Sequence, residues 1–167
     1  MHYSTATRRR RTHSNNVKKN IKTSSTSSSL INLLRARDWH RATQYMQRYP
    51  HEVKAASSSA SPLPLHLSCQ LRAPTYVIQS ILTMNSDAVI WTDGQGWTPL
   101  HVAMLYGLRE DAVVLLIKYG GTEAVMSRNN MGWTPLLLAL RHGANTRIIQ
   151  CLLEADCRSS LIGNHAG

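Results

Sequence analysis

The chain has 167 residues, about the length of one domain, and its hydrophobic fraction of 43% is enough for a packed core. Lysine and arginine number 19 against 9 acidic residues, which gives a formal net charge of +10, a balance typical of proteins that meet nucleic acid or anionic membranes. No run of about 18 apolar residues is present, so we expect no transmembrane helix, and the 3 cysteines match no zinc spacing and are odd in number, which argues against a structural metal and a disulfide framework.

Most of this charge lies at the start of the chain. Residues 1–29 are rich in serine and threonine, contain no acid and hold seven of the basic residues, whereas residues 30–167 hold 12 basic and 9 acidic ones. Since residues 1–29 have few apolar side chains to bury, we predict that they form a disordered N-terminal tail. The basic run in this tail consists of Arg8, Arg9, Arg10, Arg11, Lys18 and Lys19.

The basic run has three interpretations. The run is typical of a nuclear-import signal or a weak nucleic-acid contact. An acid-free start rich in serine is also typical of an organelle transit peptide. The third alternative is an inert solvated tail. Residues 4–16 have almost no apolar face, which favours the nucleus over an organelle. Because no secretory apolar segment is present, we expect an intracellular protein, cytoplasmic or nuclear, in a reducing compartment.

Residues 30–61 have the pattern of an outlying helix pair. Apolar side chains recur at helical spacing between Leu30 and Tyr49, Asp38 is placed to cap the second helix, and Pro50 is placed to end it. Terminal repeats of a repeat protein are atypical in sequence. We therefore predict a divergent first repeat or an N-terminal cap at 30–61.

Three further segments align with one another along the chain. Each is followed by a second apolar helix pattern, and the second and third follow a turn cluster that ends in Gly-Trp. The prolines of the three segments are 35 and then 36 residues apart. The segments are Leu63–Ser68, Thr98–Ala103 and Thr134–Ala139.

The residue types around these segments predict helix ends. Thr98 and Thr134 are placed as N-caps, whose hydroxyls accept hydrogen bonds from free N–H groups of the first turn, and the proline after each is preset for helix entry. Gly107 and Gly143 are placed to end the first helix of each pair in the left-handed conformation. Gly120 is expected to end a second, outer helix.

The pattern resembles the ankyrin repeat, a turn plus two antiparallel helices with the signature Thr-Pro-Leu-His-x-Ala at a period of about 33 residues. The match at Thr98–Ala103 is complete, the third segment has Leu137 in place of histidine, and the first has Leu63 for threonine and Ser68 for alanine. The resemblance implies an all-α, ankyrin-type solenoid of stacked antiparallel helix pairs over residues 62–167. The three implied repeats lie at about 62–95, 96–131 and 132–167.

Gly167 falls at the register where the turn of a further repeat would begin. We therefore expect the chain to be a fragment of a longer repeat protein or to end on a protruding turn. A bare last repeat leaves apolar side chains partly uncovered, which predicts marginal stability or self-association. Those side chains are Leu136, Leu140, Ile149 and Leu153.

No residue pattern in the sequence indicates catalysis. His66 and His101 are candidate bases, but no carboxylate or nucleophile falls at a spacing that would pair with them. The ankyrin resemblance implies instead that these histidines form structural hydrogen bonds between neighbouring turns. Phosphate-binding, nucleophile-elbow and zinc-protease motifs are absent from the sequence. We predict no enzyme, no cofactor, no metal and no small-molecule substrate.

The resemblance implies binding of an unidentified protein partner through turn tips and the concave face of the first helices. The residues there differ between repeats and mix aromatic, arginine, methionine and amide types, which suits a protein interface. They are Gln95, Leu105, Tyr106, Asn130, Met131, Arg141 and His142.

Trp97 and Trp133 share one repeat position, and we interpret them as a structural ladder rather than as interface anchors. The alternatives are a nuclear or nucleic-acid-associated protein that binds through residues 1–29, and a truncated fragment without independent function.

Overall fold

The described part of the chain, residues 29–54 and 63–162 of a computed structural model, folds into helices joined by short loops and turns, with side chains described as far as Ala155. Within these ranges there are nine α-helices, one 3-10 helix and no strand, which confirms the predicted all-α class. The basic run from Arg8 to Lys19 and the rest of the predicted tail up to residue 28 lie outside the described residues. The helices are α1 (Leu30–Arg35), α2 (Trp39–Arg48), α3 (Pro50–Lys54), α4 (Pro64–Gln70), α5 (Thr75–Met84), α6 (Pro99–Tyr106), α7 (Glu110–Met126), α8 (Pro135–Arg141) and α9 (Thr146–Ile162), and the 3-10 helix is Ser86–Val89.

The helices stack in two layers. The first helices of the pairs, α1, α4, α6 and α8, contact one another in that order and form the inner layer. The second helices, α2, α5, α7 and α9, form the outer layer in the same order. A short loop joins each inner helix to the outer helix of its own pair, which confirms the predicted solenoid of stacked antiparallel pairs.

Apolar side chains between the two layers hold the pairs together. Both layers contribute side chains that are almost completely buried, and burying one of this size stabilises the fold by about 1.5–3 kcal/mol. This core fixes the spacing of the pairs and therefore the positions of the loops and turns. Its large members include Leu34, Met46, Ile78, Leu100, Leu116 and Leu152.

The helix starts follow the predicted capping. The Thr98 side chain accepts a hydrogen bond from the N–H of His101, and Thr134 accepts one from Leu137, with a proline as the first helical residue in both cases. Asp38 caps α2 by accepting from the N–H of Arg41 at 3.2 Å. Leu63 precedes α4 without a side-chain cap, because it has no oxygen to offer.

The loop inside each helix pair has one geometry throughout. One residue takes a left-handed φ between 55° and 69°, and the N–H of the next residue donates to a carbonyl five positions back, which satisfies an open carbonyl at the helix end. The four left-handed residues are spaced 35, 35 and 36 apart. They are Arg37, Arg72, Gly107 and Gly143, of which the glycines were predicted and the arginines were not.

Two helix boundaries differ from the sequence prediction. Gly120 remains helical, and the break comes at Gly121, whose φ of 54° and ψ of −149° are not helical, after which α7 resumes as far as Met126. Pro50 follows the end of α2 as predicted, but it also begins the short helix α3, because proline is well suited to a first helical position. α3 buries Val53 against the core.

Candidate functional site

A side-chain oxygen builds the turn before α6. Asp93 Oδ1 accepts hydrogen bonds from the N–H groups of Gln95 and Trp97, both at 2.9 Å. Gly96 has a φ of +78°, and a Cβ placed there would lie 2.6 Å from Asn130 Oδ1 and 2.9 Å from the Asn130 nitrogen. Glycine is therefore required at this point by both the backbone conformation and the close approach of the next turn.

The turn before α8 repeats this arrangement. Asn129 Oδ1 accepts from the N–H groups of Met131 at 3.0 Å and Trp133 at 2.9 Å. The two turns are joined, since the N–H of Asn130 donates to the carbonyl oxygen of Gln95 at 3.1 Å. The structure therefore brings two candidate interface residues, Gln95 and Asn130, together at the turn tips.

Buried histidines join each inner helix to the following turn. His66 Nε2 lies 2.7 Å from the carbonyl oxygen of Trp97, and His101 Nε2 lies 2.9 Å from the carbonyl oxygen of Trp133. A carbonyl can only accept, so each Nε2 carries the proton and donates. The Nδ1 of His101 accepts from the N–H of Thr98 at 3.2 Å, which makes the ring neutral. The structural role predicted for these histidines is confirmed, and burial lowers the pKa of both rings.

The first and third copies of the motif depart from this pattern. Leu63 stands where α6 has Thr98, and His66 Nδ1 is buried without a partner among the described residues. In the third copy Leu137 replaces the histidine, has no ring nitrogen to donate, and is 44% exposed.

The seven candidate interface residues lie at the turn tips and at the carboxyl ends of the inner helices. All are exposed except Leu105, which is half-buried, and Met131 has 74% of its surface exposed. The guanidinium of Arg141 lies 5.2 Å from the ring centroid of Trp133, so the carboxyl end of α8 contacts the residue that follows the adjacent turn. This contact makes the turn and the helix end parts of one surface.

The two tryptophans pack within their own repeats. Trp97 meets the ring of His101 edge-on at 6.0 Å, and Trp133 lies under Arg141. Among the described residues the two indole rings form no contact with each other, so the ladder between repeats is made by their backbone carbonyls.

Sequence reasoning missed one residue on the inner-helix row. Gln70 Nε2 donates to the hydroxyl of Tyr106 at 3.2 Å and so extends the surface to α4. The signal was the register, because Gln70 lies 35 residues before Leu105, one of the candidate residues.

Two acids at the start of α7 link the outer layer. Asp111 Oδ2 accepts from the Thr75 hydroxyl at 2.6 Å, and this hydrogen bond is the main reason that the pKa of Asp111 lies below its usual range. Glu110 accepts from Asn145 at 3.0 Å and pairs with Arg147 at 2.8 Å. These two acids therefore join α7 to both neighbouring repeats.

The part of the chain that the structure describes offers no cluster of metal ligands. No group of three or more histidine, cysteine or acidic side chains is arranged there to hold an ion. Cys69 is completely buried, and burial raises the pKa of its thiol, so it is an inert core residue. No helix in the described ranges is long and apolar enough to cross a membrane.

The stacked turns, caps and histidines match a known family. A family model described as ankyrin repeats, in 3 copies, matches residues 65–161, which is more than half of the chain. The chain belongs to the ankyrin repeat family. Ankyrin repeats are typically non-catalytic, and this ankyrin repeat chain is a protein-interaction module.

One curated relative is similar to part of the chain. The chain is 29% identical over 90 residues to the probable 26S proteasome regulatory subunit p28 of Saccharomyces cerevisiae (strain ATCC 204508 / S288c). The match covers 54% of this chain and 39% of the relative, so the chain spans about two fifths of the relative's length. The repeat boundaries predicted at 62–95, 96–131 and 132–167, and the repeat or cap at 30–61, stay predictions.

Proposed function

We propose that this ankyrin repeat chain binds its protein partner through one face formed by the turn tips and the carboxyl ends of the inner helices. The observation that carries the proposal is the contact of Arg141 with Trp133, which joins a turn to a helix end. Arginine, aromatic and methionine side chains are enriched at protein interfaces. The proposed contact residues are Gln95, Leu105, Tyr106, Asn130, Met131, Arg141 and His142.

The bonds between repeats support this proposal. The turn-to-turn hydrogen bond from Asn130 to Gln95 and the histidine bonds beneath it hold the face in one conformation before any partner arrives. A face that is already ordered loses little conformational entropy on binding, and more of the contact free energy then becomes affinity.

We also propose that the chain is not an enzyme. The candidate bases, His66 and His101, donate their Nε2 protons to backbone carbonyls. The hydroxyl nearest His101, that of Thr98 at 2.8 Å from Nδ1, is buried and caps a helix. The relative named as a proteasome regulatory subunit supports an intracellular protein whose partner belongs to a larger protein assembly. The comparisons point to protein partners and give no support to a nucleic-acid contact.

Photo-crosslinking in cells tests the proposed face even though the partner is unidentified. A photoreactive phenylalanine derivative is placed at Met131 on the face or, as a control, at Val114, an exposed residue of the outer helix α7. We expect one defined protein product from position 131, absent from position 114, and reduced when Tyr106→Ala or Arg141→Ala is added. Equal products from both positions, or a product that both alanine variants leave unchanged, would remove the proposed face.

A further inference from the structure

The positive charge of the folded part is concentrated at its N-terminal end. Between residues 29 and 72 there are six basic side chains and two acidic ones, whereas residues 73–155 have five basic and six acidic. Both acids of the first group already have partners: Asp38 pairs with Arg41 at 3.6 Å, and Glu52 accepts from the Tyr45 hydroxyl at 2.6 Å. No other basic side chain of this end forms an ion pair with a described acid, so this end keeps a net positive charge.

Two of these basic residues occupy backbone positions that favour glycine. Arg37 and Arg72 have φ values of 55° and 56°, at the register where the later repeats have Gly107 and Gly143. A side chain with a Cβ is strained in this conformation, and glycine is not. The loop hydrogen bonds from Asp38 and Ala73 hold this conformation for any residue, so a long side chain where glycine would be unstrained points to a separate role for that side chain.

Nothing within the described residues supplies that role. Both arginine side chains are exposed, and neither forms a hydrogen bond or an ion pair with another described residue. Arg72 lines an open cleft of about 300 Å³ between the loops of neighbouring repeats, where Gly107 and Gly143 form part of the wall. The acid in that cleft, Glu110, is paired with Arg147. The cleft therefore contains the unpaired guanidinium of Arg72, and its wall is bare backbone at the two glycines.

We propose that Arg37 and Arg72 bind an acidic segment of the protein partner along the loop edge of the first two helix pairs. This rests on the proposed function and names the chemistry of the partner. Carboxylates match a guanidinium fork in geometry and charge, and positive charge along one edge raises the rate at which an acidic partner associates. Glu110, the acid in the cleft, is neutralised by Arg147 and leaves the charge of Arg72 available. A protein segment is proposed in preference to a nucleic acid because the ankyrin family and the relative both point to protein partners.

The test measures binding and stability on the same variants. All six residues of the basic run are neutralised in the full chain, so that the run does not bind the probe; the changes are Arg8→Gln, Arg9→Gln, Arg10→Gln, Arg11→Gln, Lys18→Gln and Lys19→Gln. The probe is a fluorescent peptide of twelve glutamates, followed by anisotropy at 0.1 M salt, with a twelve-glutamine peptide as the blank. The variants are Arg37→Gly, Arg72→Gly and the double variant, and Lys118→Gln is the control that removes the same charge from the outer helix α7.

Binding and stability should change in opposite directions. We expect the double variant to bind the glutamate peptide about five- to tenfold more weakly, as for the loss of two exposed ion pairs. We also expect its melting temperature to rise by about 2–4 °C, because glycine relieves the backbone strain. Lys118→Gln should change the affinity less than about twofold. An affinity that the double variant leaves unchanged, or a lower melting temperature, overturns the proposal. So does a twelve-nucleotide single-stranded DNA that binds more tightly than the peptide and depends on the same two arginines.

The result separates this inference from the proposed function. If the peptide binds independently of Arg37 and Arg72 while the crosslink from position 131 persists, the proposal of an acidic partner segment is wrong and the proposed face is supported. If binding of the peptide depends on the two arginines and no crosslink forms from position 131, the proposed binding at the loop edge is supported and the proposed face is wrong.

Discussion

His101 of α6 and Trp133, which precedes α8, are joined across 32 residues by one hydrogen bond of 2.9 Å from Nε2 to the carbonyl oxygen. The same carbonyl accepts from the N–H of Asn129 at 3.0 Å, so a single oxygen closes a turn and ties it to the preceding repeat. On its other side the His101 ring accepts from the N–H of Thr98. One neutral imidazole thus satisfies a helix start and a neighbouring turn at the same time, and the order of the proposed face depends on it.

Replacing this histidine with an apolar residue tests its contribution. His101→Leu removes the bond to Trp133 and leaves the buried N–H of Thr98 without its acceptor, so we expect the free energy of unfolding to fall by about 2–3 kcal/mol. Urea denaturation followed by circular dichroism measures this change. The control is His142→Leu, on an exposed side chain, which should change the free energy by less than about 0.5 kcal/mol. Equal effects of the two variants would contradict the assignment.

The cap missing from α4 can be supplied. Leu63→Thr places a hydroxyl where it can donate to the unpaired Nδ1 of His66 and cap the helix, as Thr98 does for α6. We expect a gain of about 1 kcal/mol in the free energy of unfolding. Leu63→Val is the matched control, because valine has the shape of threonine without its hydroxyl. The explanation fails if valine and threonine stabilise the protein equally.

The two buried histidines predict a loss of stability in mild acid. Burial lowers the pKa of His66 and His101 below 6.5 in the folded state, so as the pH falls through that value the unfolded state takes up protons first. The free energy of unfolding should be at its full value above about pH 7 and fall by about 1–2 kcal/mol by pH 5.5. Urea titrations at both pH values measure the change, and His101→Leu should make it smaller. A stability that stays flat, or rises, across this range would show that the rings accept protons while folded.

A pair of glycines in one turn provides a controlled test of the close contact between turns. Gly96→Ala meets Asn130 and is strained at a φ of +78°, so we expect a loss of about 2 kcal/mol or more in the free energy of unfolding. Gly94→Ala has no atom within 4 Å of the new Cβ and should cost less than about 1 kcal/mol. Thermal melts of the two single variants decide the point, and a Gly94 variant as unstable as the Gly96 variant would rule out the contact as the cause.

The sequence predicted the fold where local chemistry acts within a few residues. Thr98 and Thr134 cap helices, and Gly107 and Gly143 end them, because a hydroxyl or a missing Cβ has the same effect in any repeat. The left-handed Arg37 could not be predicted by these rules, since they favour glycine there and the arginine is retained against its backbone preference.

The candidate site was less predictable than the fold. Exposure at the turn tips follows from the repeat pattern, but the stacking of Arg141 on Trp133 depends on how α8 lies against the turn before it. Whether the seven candidate residues contact a partner stays a prediction, because complementarity to a partner is not encoded in the free surface alone.

Because Leu137 replaces the histidine of the motif, we expect local unfolding of the stacked repeats to begin at one end. His66 and His101 each donate a hydrogen bond to the turn of the following repeat, whereas Leu137 has no ring nitrogen with which to make such a bond. Within the described residues, histidine bonds therefore couple the pair α6–α7 on both sides and the pair α8–α9 on one. In a stack where each repeat is stabilised by its neighbours, amide hydrogens of α8 should exchange with solvent before those of α6, so that opening begins at Thr134 and moves toward the N-terminus.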